Sequence, residues 1–232
     1  MERPSVSLLD AALDLLLPAC CVGCGLGHAQ LCGPCRALLE GAEPHLARPL
    51  RPPPGLPEVY AALPYDGTVR QALLAHKERG ALRLAPALGH ALARAVRAAV
   101  PLDPGHAAPL LLVPMPSTAR ATRARGHDPT TRLARAAART LRGSHVPARV
   151  LPVLRHARAV ADQAGLDAAA RRRNLRGALR VDRPCRELRS GHVLVVDDLV
   201  TTGASLADAA RALSEAGADV LAAAVVAAPT RL

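Results

Sequence analysis

Aromatic side chains are almost missing from this 232-residue chain. It contains two tyrosines, Tyr60 and Tyr65, and neither tryptophan nor phenylalanine, although 50% of its residues are hydrophobic. The core must therefore be built from aliphatic side chains and alanine. The same scarcity leaves little material for stacking on nucleobases, so any contact with a nucleic acid would have to be mainly electrostatic.

Two further absences exclude classes of protein. No uninterrupted apolar run approaches the roughly 20 residues that cross a bilayer, which predicts a soluble chain. No Gly-Lys-Ser or Gly-Lys-Thr P-loop is present, which argues against a nucleoside triphosphatase. Leu15–Cys20 faintly resembles a lipoprotein cleavage site, but Asp10 and Asp14 interrupt the hydrophobic segment that export requires. We expect an amphipathic helix over Ser7–Leu17 instead.

Lysine is also nearly absent, since Lys77 is the only one, and positive charge is carried by arginine. Residues 120–176 contain fourteen arginines and three aspartates, a net charge of +11 that equals the formal charge of the whole chain. Such a field attracts pyrophosphate, phosphosugars or a nucleic-acid backbone. The alternative is a set of solvated helix faces in an arginine-rich composition, and the sequence leaves both open.

The amino-terminal cysteines are spaced like metal ligands. Cys21-x-x-Cys24 and Cys32-x-x-Cys35 are separated by seven residues, and two such pairs favour a tetrahedral zinc ion over two disulfides or redox-active thiols. Cys20 could replace Cys21, and a histidine between the pairs, His28, could replace one thiolate. Reduced metal-binding cysteines without an export signal predict a cytoplasmic location.

A proline-rich stretch divides the chain. Six prolines lie between Pro44 and Pro57, which is typical of an extended and fairly stiff linker. We therefore predict an amino-terminal helix and zinc module over residues 1–43, a linker over 44–57, and an α/β domain over 58–232.

The segment from Val193 onward predicts a site for a sugar phosphate. Its apolar run suits a strand of a parallel sheet and ends at Asp197 and Asp198, whose charges a diol or a metal could share. Thr201, Thr202, Gly203, Ala204 and Ser205 then form a turn that offers hydroxyls. A predicted helix over 206–216 directs its first N–H groups at an anion, and a strand over 220–226 completes a β-α-β unit. The alternative is an ordinary strand-turn-helix with solvent-exposed acids.

This pattern resembles the phosphoribosyl pyrophosphate (PRPP) motif of type I phosphoribosyltransferases. The resemblance implies a Rossmann-like parallel sheet with flanking helices. It also implies that Asp197 and Asp198 hold the ribose 2- and 3-hydroxyls and that the turn from Thr201 to Ser205 holds the 5-phosphate.

The order of the motifs is similar to that of the ComF family, phosphoribosyltransferase-like proteins associated with bacterial competence. The matching pieces are the four-cysteine module, Tyr65-x-Gly67 leading to Lys77, Val113–Pro116, Arg125-Gly126, Gln163, Arg173-Asn174 and the PRPP motif. One loop departs from the family. Where the family often has Arg-Gly-Phe-Asn-Gln, this chain continues from Arg125-Gly126 with His127-Asp128-Pro129 and loses an aromatic and two amides.

The resemblance implies roles for the remaining candidates. Pro114–Thr118 resembles the pyrophosphate loop. Arg123 and Arg125, which precede a flexible glycine, and Lys77 are candidates to bind pyrophosphate, and an ordinary surface position is the alternative for each. Mg²⁺ would bridge pyrophosphate and ribose oxygens while an acceptor, which the sequence does not identify, attacks the anomeric carbon.

Three functions stay open at this level. The first is phosphoribosyl transfer with release of pyrophosphate. The second is DNA uptake together with a competence machinery, through binding of single-stranded DNA, with PRPP binding as an accessory activity. The third is PRPP sensing without turnover.

Overall fold

The computed structural model describes residues 20–27, 29–41, 43–100, 109–157, 177–182 and 185–230. The expected helix over Ser7–Leu17, and the candidates His28, Gln163 and Arg173-Asn174, lie outside these ranges. Within the described ranges, no helix is both long and apolar enough to cross a membrane.

Eight strands are found in the described part of the chain. They are β1 (His45–Ala47), β2 (Val59–Pro64), β3 (Leu110–Pro114), β4 (Ala148–Val150), β5 (Leu154–His156), β6 (Leu179–Val181), β7 (His192–Leu199) and β8 (Val220–Ala228). Six of them form one sheet in the order β1-β2-β8-β7-β3-β4, and every neighbouring pair is parallel except β1 and β2. β5 and β6 pair antiparallel in a separate two-stranded sheet. The predicted α/β class with a mostly parallel sheet is confirmed.

Helices cover both faces of this sheet. They are α1 (Gly33–Gly41), α2 (Gly67–Glu78), α3 (Ala85–Ala98, preceded by a 3-10 turn at Leu82–Leu84), α4 (Ala119–Arg125), α5 (Pro129–Gly143), α6 (Glu187–Ser190) and α7 (Ala204–Glu215). One apolar core lies between the sheet and α1, α2, α3 and α5, and a second contains α7 and residues of the β5–β6 pair. The largest fully buried side chains are all leucines, as the scarcity of aromatics predicts.

Small residues bring two of the helices close together. A Cβ added at Gly89 in α3 would collide with the Cβ of Ala136 in α5. Because α5 follows the loop that begins at Gly126, this close packing holds in place the helix at which that loop ends.

The predicted linker contains a strand. Within residues 44–57, β1 pairs with β2 at the edge of the sheet, so this stretch is partly built into the α/β layer. Three residues between prolines carry almost no strand signal of their own, and an edge strand tolerates neighbouring prolines. The amino-terminal module also shares a core with the rest of the chain, because Cys35 and Leu39 pack in the same cluster as Val69 and Leu73. The division at residues 43/44 and 57/58 therefore stays a prediction.

Candidate sugar-phosphate site and four-cysteine cluster

The paired acids lie at the carboxyl end of a central strand. β7 has β3 on one side and β8 on the other, and it continues through both carboxylates to Leu199. Met115, in the loop after β3, donates its N–H to the carbonyl of Val196 at 2.9 Å. The loop after β3 and the acids of β7 thus meet at the carboxyl ends of the strands, where doubly wound α/β folds bind ligands.

The two carboxylates have different partners. Asp197 Oδ1 accepts a hydrogen bond from the Asp198 N–H at 2.8 Å, and Asp198 Oδ2 accepts one from Lys77 Nζ at 2.7 Å. Burial raises the pKa of Asp197 well above its usual range, and the negative charge of Asp198 raises it further. Burial alone would lower the pKa of Lys77, but attraction to Asp198 outweighs it and raises that pKa, so the ammonium stays protonated.

The turn after the acids has the conformation of an anion cup. Gly203 adopts φ +77°, and a Cβ at this position would lie 2.8 Å from the side chain of Leu56. Thr201 and Thr202 are exposed, Ser205 is partly exposed, and α7 begins at Ala204. The first N–H groups of a helix lack partners within the helix, so this turn can bind a phosphate through both backbone and hydroxyl donors.

The structure separates the two predicted pyrophosphate arginines. Arg125, which ends α4, forms an ion pair with Glu78 at 3.0 Å, and Glu78 follows Lys77 directly. Arg123 is exposed and lines a different concave surface, to which Pro116 and Ser117 also contribute. Lys77 and Arg125 therefore converge on the end of α2, and among the described contacts none joins Arg123 to the paired acids.

The loop that departs from the ComF pattern is held by other bonds. Asp128 caps α5, accepting hydrogen bonds from the N–H and the hydroxyl of Thr131 at 3.1 and 3.0 Å. His127 lies edge-on to His76 with 6.1 Å between ring centroids, and burial lowers the pKa of His76. His127 thus makes a ring contact and Asp128 caps a helix at positions where the ComF pattern has an aromatic and an amide side chain.

The four predicted ligand cysteines lie together. The Sγ atoms of Cys21, Cys24, Cys32 and Cys35 are all within 4.8 Å of one another, while Cys20 is exposed outside the group. Cys24 Sγ and Cys32 Sγ are 3.7 Å apart. A tetrahedral ion with metal–sulfur bonds of about 2.3 Å needs sulfurs about 3.8 Å apart, so the cluster can hold a metal ion.

The electrostatics of the cluster agree with this fit. Burial would raise the pKa of Cys21, but backbone N–H donors, first that of Cys32 at 3.3 Å, lower it to about 6. Burial raises the pKa of Cys35 to about 12, and its bonds to the neighbouring thiols act in the same direction. The site accommodates one thiolate readily and resists further negative charge, which a divalent cation would neutralise.

Comparison with known proteins defines the class. Residues 133–231 match the phosphoribosyl transferase domain, and the chain therefore contains such a domain, which includes β7, α7 and β8. Over 61 residues the chain is 44% identical to the DNA utilization protein YhgH of Escherichia coli O157:H7, Salmonella typhi and Salmonella typhimurium. These matches cover 26% of this chain and 26% of each relative. The predicted resemblance is confirmed to this extent: a phosphoribosyl transferase domain, a partial likeness to DNA utilization proteins and a four-cysteine cluster occur in one chain.

Proposed function

We propose that this protein binds PRPP at the carboxyl end of β7. One observation carries the proposal: Asp197 and Asp198 lead directly into an anion cup formed by Thr201–Ser205 at the start of α7. Carboxylates accept hydrogen bonds from a ribose diol, and the cup donates to a phosphate. A ligand with both groups a few bonds apart, a ribose 5-phosphate unit, matches this order of donors and acceptors.

Ligand binding would rearrange one ion pair. Asp198 is engaged by Lys77 at 2.7 Å, so a ribose hydroxyl must compete with or displace the ammonium. Once released, Lys77 would lie at the same edge of the sheet as a positive charge for pyrophosphate. Arg125 would add a second charge, because its partner Glu78 is the next residue along α2.

The same groups can support phosphoribosyl transfer. The carboxylates of Asp197 and Asp198 would stabilise positive charge that develops on the ribosyl ring as the bond to pyrophosphate breaks. Lys77, Arg125 and the N–H groups of Ser117 and Thr118, in the loop after β3, would stabilise the pyrophosphate that leaves. Mg²⁺, held by the oxygens of PRPP beside the paired acids, would neutralise part of that charge. No residue is needed as a nucleophile, since the acceptor attacks the sugar directly.

Titration calorimetry with PRPP and Mg²⁺ tests the proposal. The wild type should bind, and the double variant Asp197→Asn/Asp198→Asn should not. The matched control is Asp219→Asn, which should bind normally. Asp219 is an exposed acid that directly precedes β8, so it lies at the amino end of that strand, away from the candidate site. Wild-type protein that does not bind PRPP would refute the sugar-phosphate function. Pyrophosphate release with candidate acceptors would then distinguish an enzyme from a PRPP sensor.

We also assign the four-cysteine cluster to structural zinc. Four cysteine sulfurs that lie within 4.8 Å of one another favour a closed, four-coordinate zinc site. Metal analysis of the purified protein should give about one zinc per chain, and Cys20→Ser should not change it. A folded preparation without metal would contradict the assignment.

DNA binding is a second candidate function. The relatives that match part of the chain are named DNA utilization proteins, and residues 120–176 carry a net charge of +11. A basic surface binds nucleic acids mainly through phosphates, and its affinity falls steeply with salt. Single-stranded DNA is the proposed ligand, in connection with DNA uptake.

A further inference from the structure

A large cleft lies beside the sugar-phosphate site without sharing its acids or its anion cup. Its volume is about 1120 Å³, and its walls come from the 3-10 turn before α3, from α4, from α5 and from β5. We call it the arginine cleft after six of the residues that line it: Arg83, Arg123, Arg132, Arg135, Arg139 and Arg155. None of Asp197, Asp198 and Thr201–Ser205 lines it, whereas Pro116 and Ser117 form one end.

In the part of the chain that the structure describes, the charges in this cleft have no carboxylate partners. All six arginines are exposed, and within the described ranges none of their guanidinium groups has a carboxylate within 4.0 Å. Arg155 donates only to the backbone carbonyls of Pro152 and Leu154. Asp128, the one acid among the described lining residues, already accepts hydrogen bonds from Thr131 and Ser117. Elsewhere in the fold, exposed arginines such as Arg36 and Arg149 form ion pairs with glutamates.

Three of the arginines form a row. Arg132, Arg135 and Arg139 follow one another at intervals of three and four residues, so they share one face of α5 over about 10 Å. The opposite face, with Leu133, Ala137 and Leu141, is buried in the core. A solvated helix face would explain this row alone. It does not explain why Arg83, Arg123 and Arg155, from three other segments, face the same volume.

We propose that the arginine cleft binds the phosphate backbone of a single-stranded nucleic acid, without reading its bases. The proposal rests on the second candidate function and assigns it a surface. The cleft volume of about 1120 Å³ lies at the upper limit of small-molecule sites and leaves room for an extended ligand. A flexible strand can enter a concave cleft, whereas a stiff duplex would contact only its rim. Neither Tyr60 nor Tyr65 lines the cleft, although the imidazole rings of His127 and His156 do. Affinity should therefore come mainly from phosphates, with guanidinium and imidazole planes available to lie against bases.

Fluorescence anisotropy with labelled oligothymidylates of several lengths tests the assignment. The cleft variant is Arg132→Gln/Arg135→Gln/Arg139→Gln, and its matched control is Arg36→Gln/Arg149→Gln/Arg180→Gln, which removes three exposed arginines outside the cleft. We expect the cleft variant to lose at least about tenfold in affinity near 0.15 M salt and the control to stay within about threefold of the wild type. The slope of log affinity against log salt should fall by about 2, since each phosphate contact on a single strand contributes about 0.7.

Further binding measurements distinguish this proposal from the other functions. Asp197→Asn/Asp198→Asn should bind the oligonucleotide normally, and the cleft variant should bind PRPP normally. Absence of binding by the wild type would overturn both DNA binding and the cleft assignment, whereas equal losses in the cleft variant and its control would overturn the assignment alone. Complete competition by PRPP would make the cleft part of the sugar-phosphate site. Affinity independent of oligonucleotide length, with tripolyphosphate competing equally well per phosphate, would indicate a small polyphosphate ligand. Preference for duplex would also contradict the proposal.

Discussion

Lys77 Nζ lies 2.7 Å from Asp198 Oδ2, although the two residues are 121 positions apart in the chain. Asp198 is almost fully buried, with 7% of its surface exposed, and it is the penultimate residue of β7, the strand that leads into the phosphate turn. The ion pair therefore occupies an acid that the ribose diol is expected to use. It also holds the Lys77 ammonium close to where the pyrophosphate of PRPP would bind.

Replacement of Lys77 by glutamine should affect two ligands differently. PRPP needs a cation for its pyrophosphate, so we expect its affinity to fall by about tenfold, the value of one charge-assisted hydrogen bond. Ribose 5-phosphate lacks pyrophosphate and no longer has to displace the ammonium, so its affinity should not fall. Calorimetry with both ligands on wild type and variant measures the difference. Equal losses for the two ligands would show that Lys77 holds the site together rather than binding pyrophosphate.

Asp197→Asn should stabilise the fold while it weakens PRPP binding. Asparagine keeps an oxygen to accept the Asp198 N–H, but it removes a carboxyl whose burial opposes ionisation. A carboxyl whose pKa is raised in the folded state contributes stability below its unfolded pKa of about 4 and loses it as pH rises through the folded pKa. Each unit of that shift corresponds to about 1.4 kcal/mol, or ~3–6 °C in melting temperature for a chain of this size.

Thermal melts between about pH 4 and pH 8 check this sign. The wild type should lose stability relative to Asp197→Asn as pH rises, and the exposed control Asp219→Asn should follow the wild type. PRPP binding, which uses the ionised acids, should strengthen over the same interval. A variant that melts below the wild type at pH 8 would mean that the Asp197 charge is favourable in the fold.

Local patterns predicted the centre of this site, and distant contacts determined the rest. The segment from β7 through α7 to β8 is continuous in sequence, so its strand, turn and helix signals could be interpreted together. The β5–β6 pair has no comparable signal. Its position depends on buried Asp208 in α7, which accepts hydrogen bonds from the N–H groups of Gly177 and Leu179 at 2.8 Å across about 30 residues. Lys77 was predicted as a pyrophosphate ligand, but its pairing with Asp198 could not be predicted, because no sequence pattern encodes the packing of α2 against the sheet.

The arginine cleft shows the same limit. The sequence showed that arginine is concentrated in residues 120–176, but it left open whether these side chains lie on merely solvated helix faces. Arg83 and Arg155 reach the cleft from segments on either side of α5 in the chain, which only the tertiary structure could reveal.

Metal removal should loosen one particular helix end. Cys35 Sγ lies 3.9 Å from Thr68 Oγ1, and a Cβ at Gly23 would lie 2.6 Å from the Thr68 methyl group. The cysteine cluster thus packs on the start of α2, the helix that carries Lys77 at its other end. Chelation should therefore speed amide hydrogen exchange in α1 and in the first turn of α2, because their packing depends on the cluster.

The β7–α7 segment gives the internal control for that experiment. Its buried side chains lie mainly in the second core, away from the cysteine cluster. Amide hydrogen exchange in this segment should therefore hardly change on chelation. Cys35→Ser should reproduce the effect of the chelator, and Cys20→Ser should not. Uniform acceleration across the whole chain would instead indicate that the metal controls global stability.

Two glycines at opposite ends of α7 separate backbone strain from ligand binding. Gly203 before the helix and Gly217 after it have similar left-handed conformations, with φ of +77° and +84°. Alanine at either position should cost about 1–2 kcal/mol because of this conformation. Only at Gly203 does the added methyl group also meet a neighbour closer than 3 Å, namely Leu56. That collision should displace the turn from Thr201 to Ser205, so Gly203→Ala should lose most PRPP affinity while Gly217→Ala keeps it. Urea unfolding and calorimetry on both variants measure the two effects. A Gly203→Ala protein that binds PRPP as tightly as Gly217→Ala would place the phosphate outside this turn.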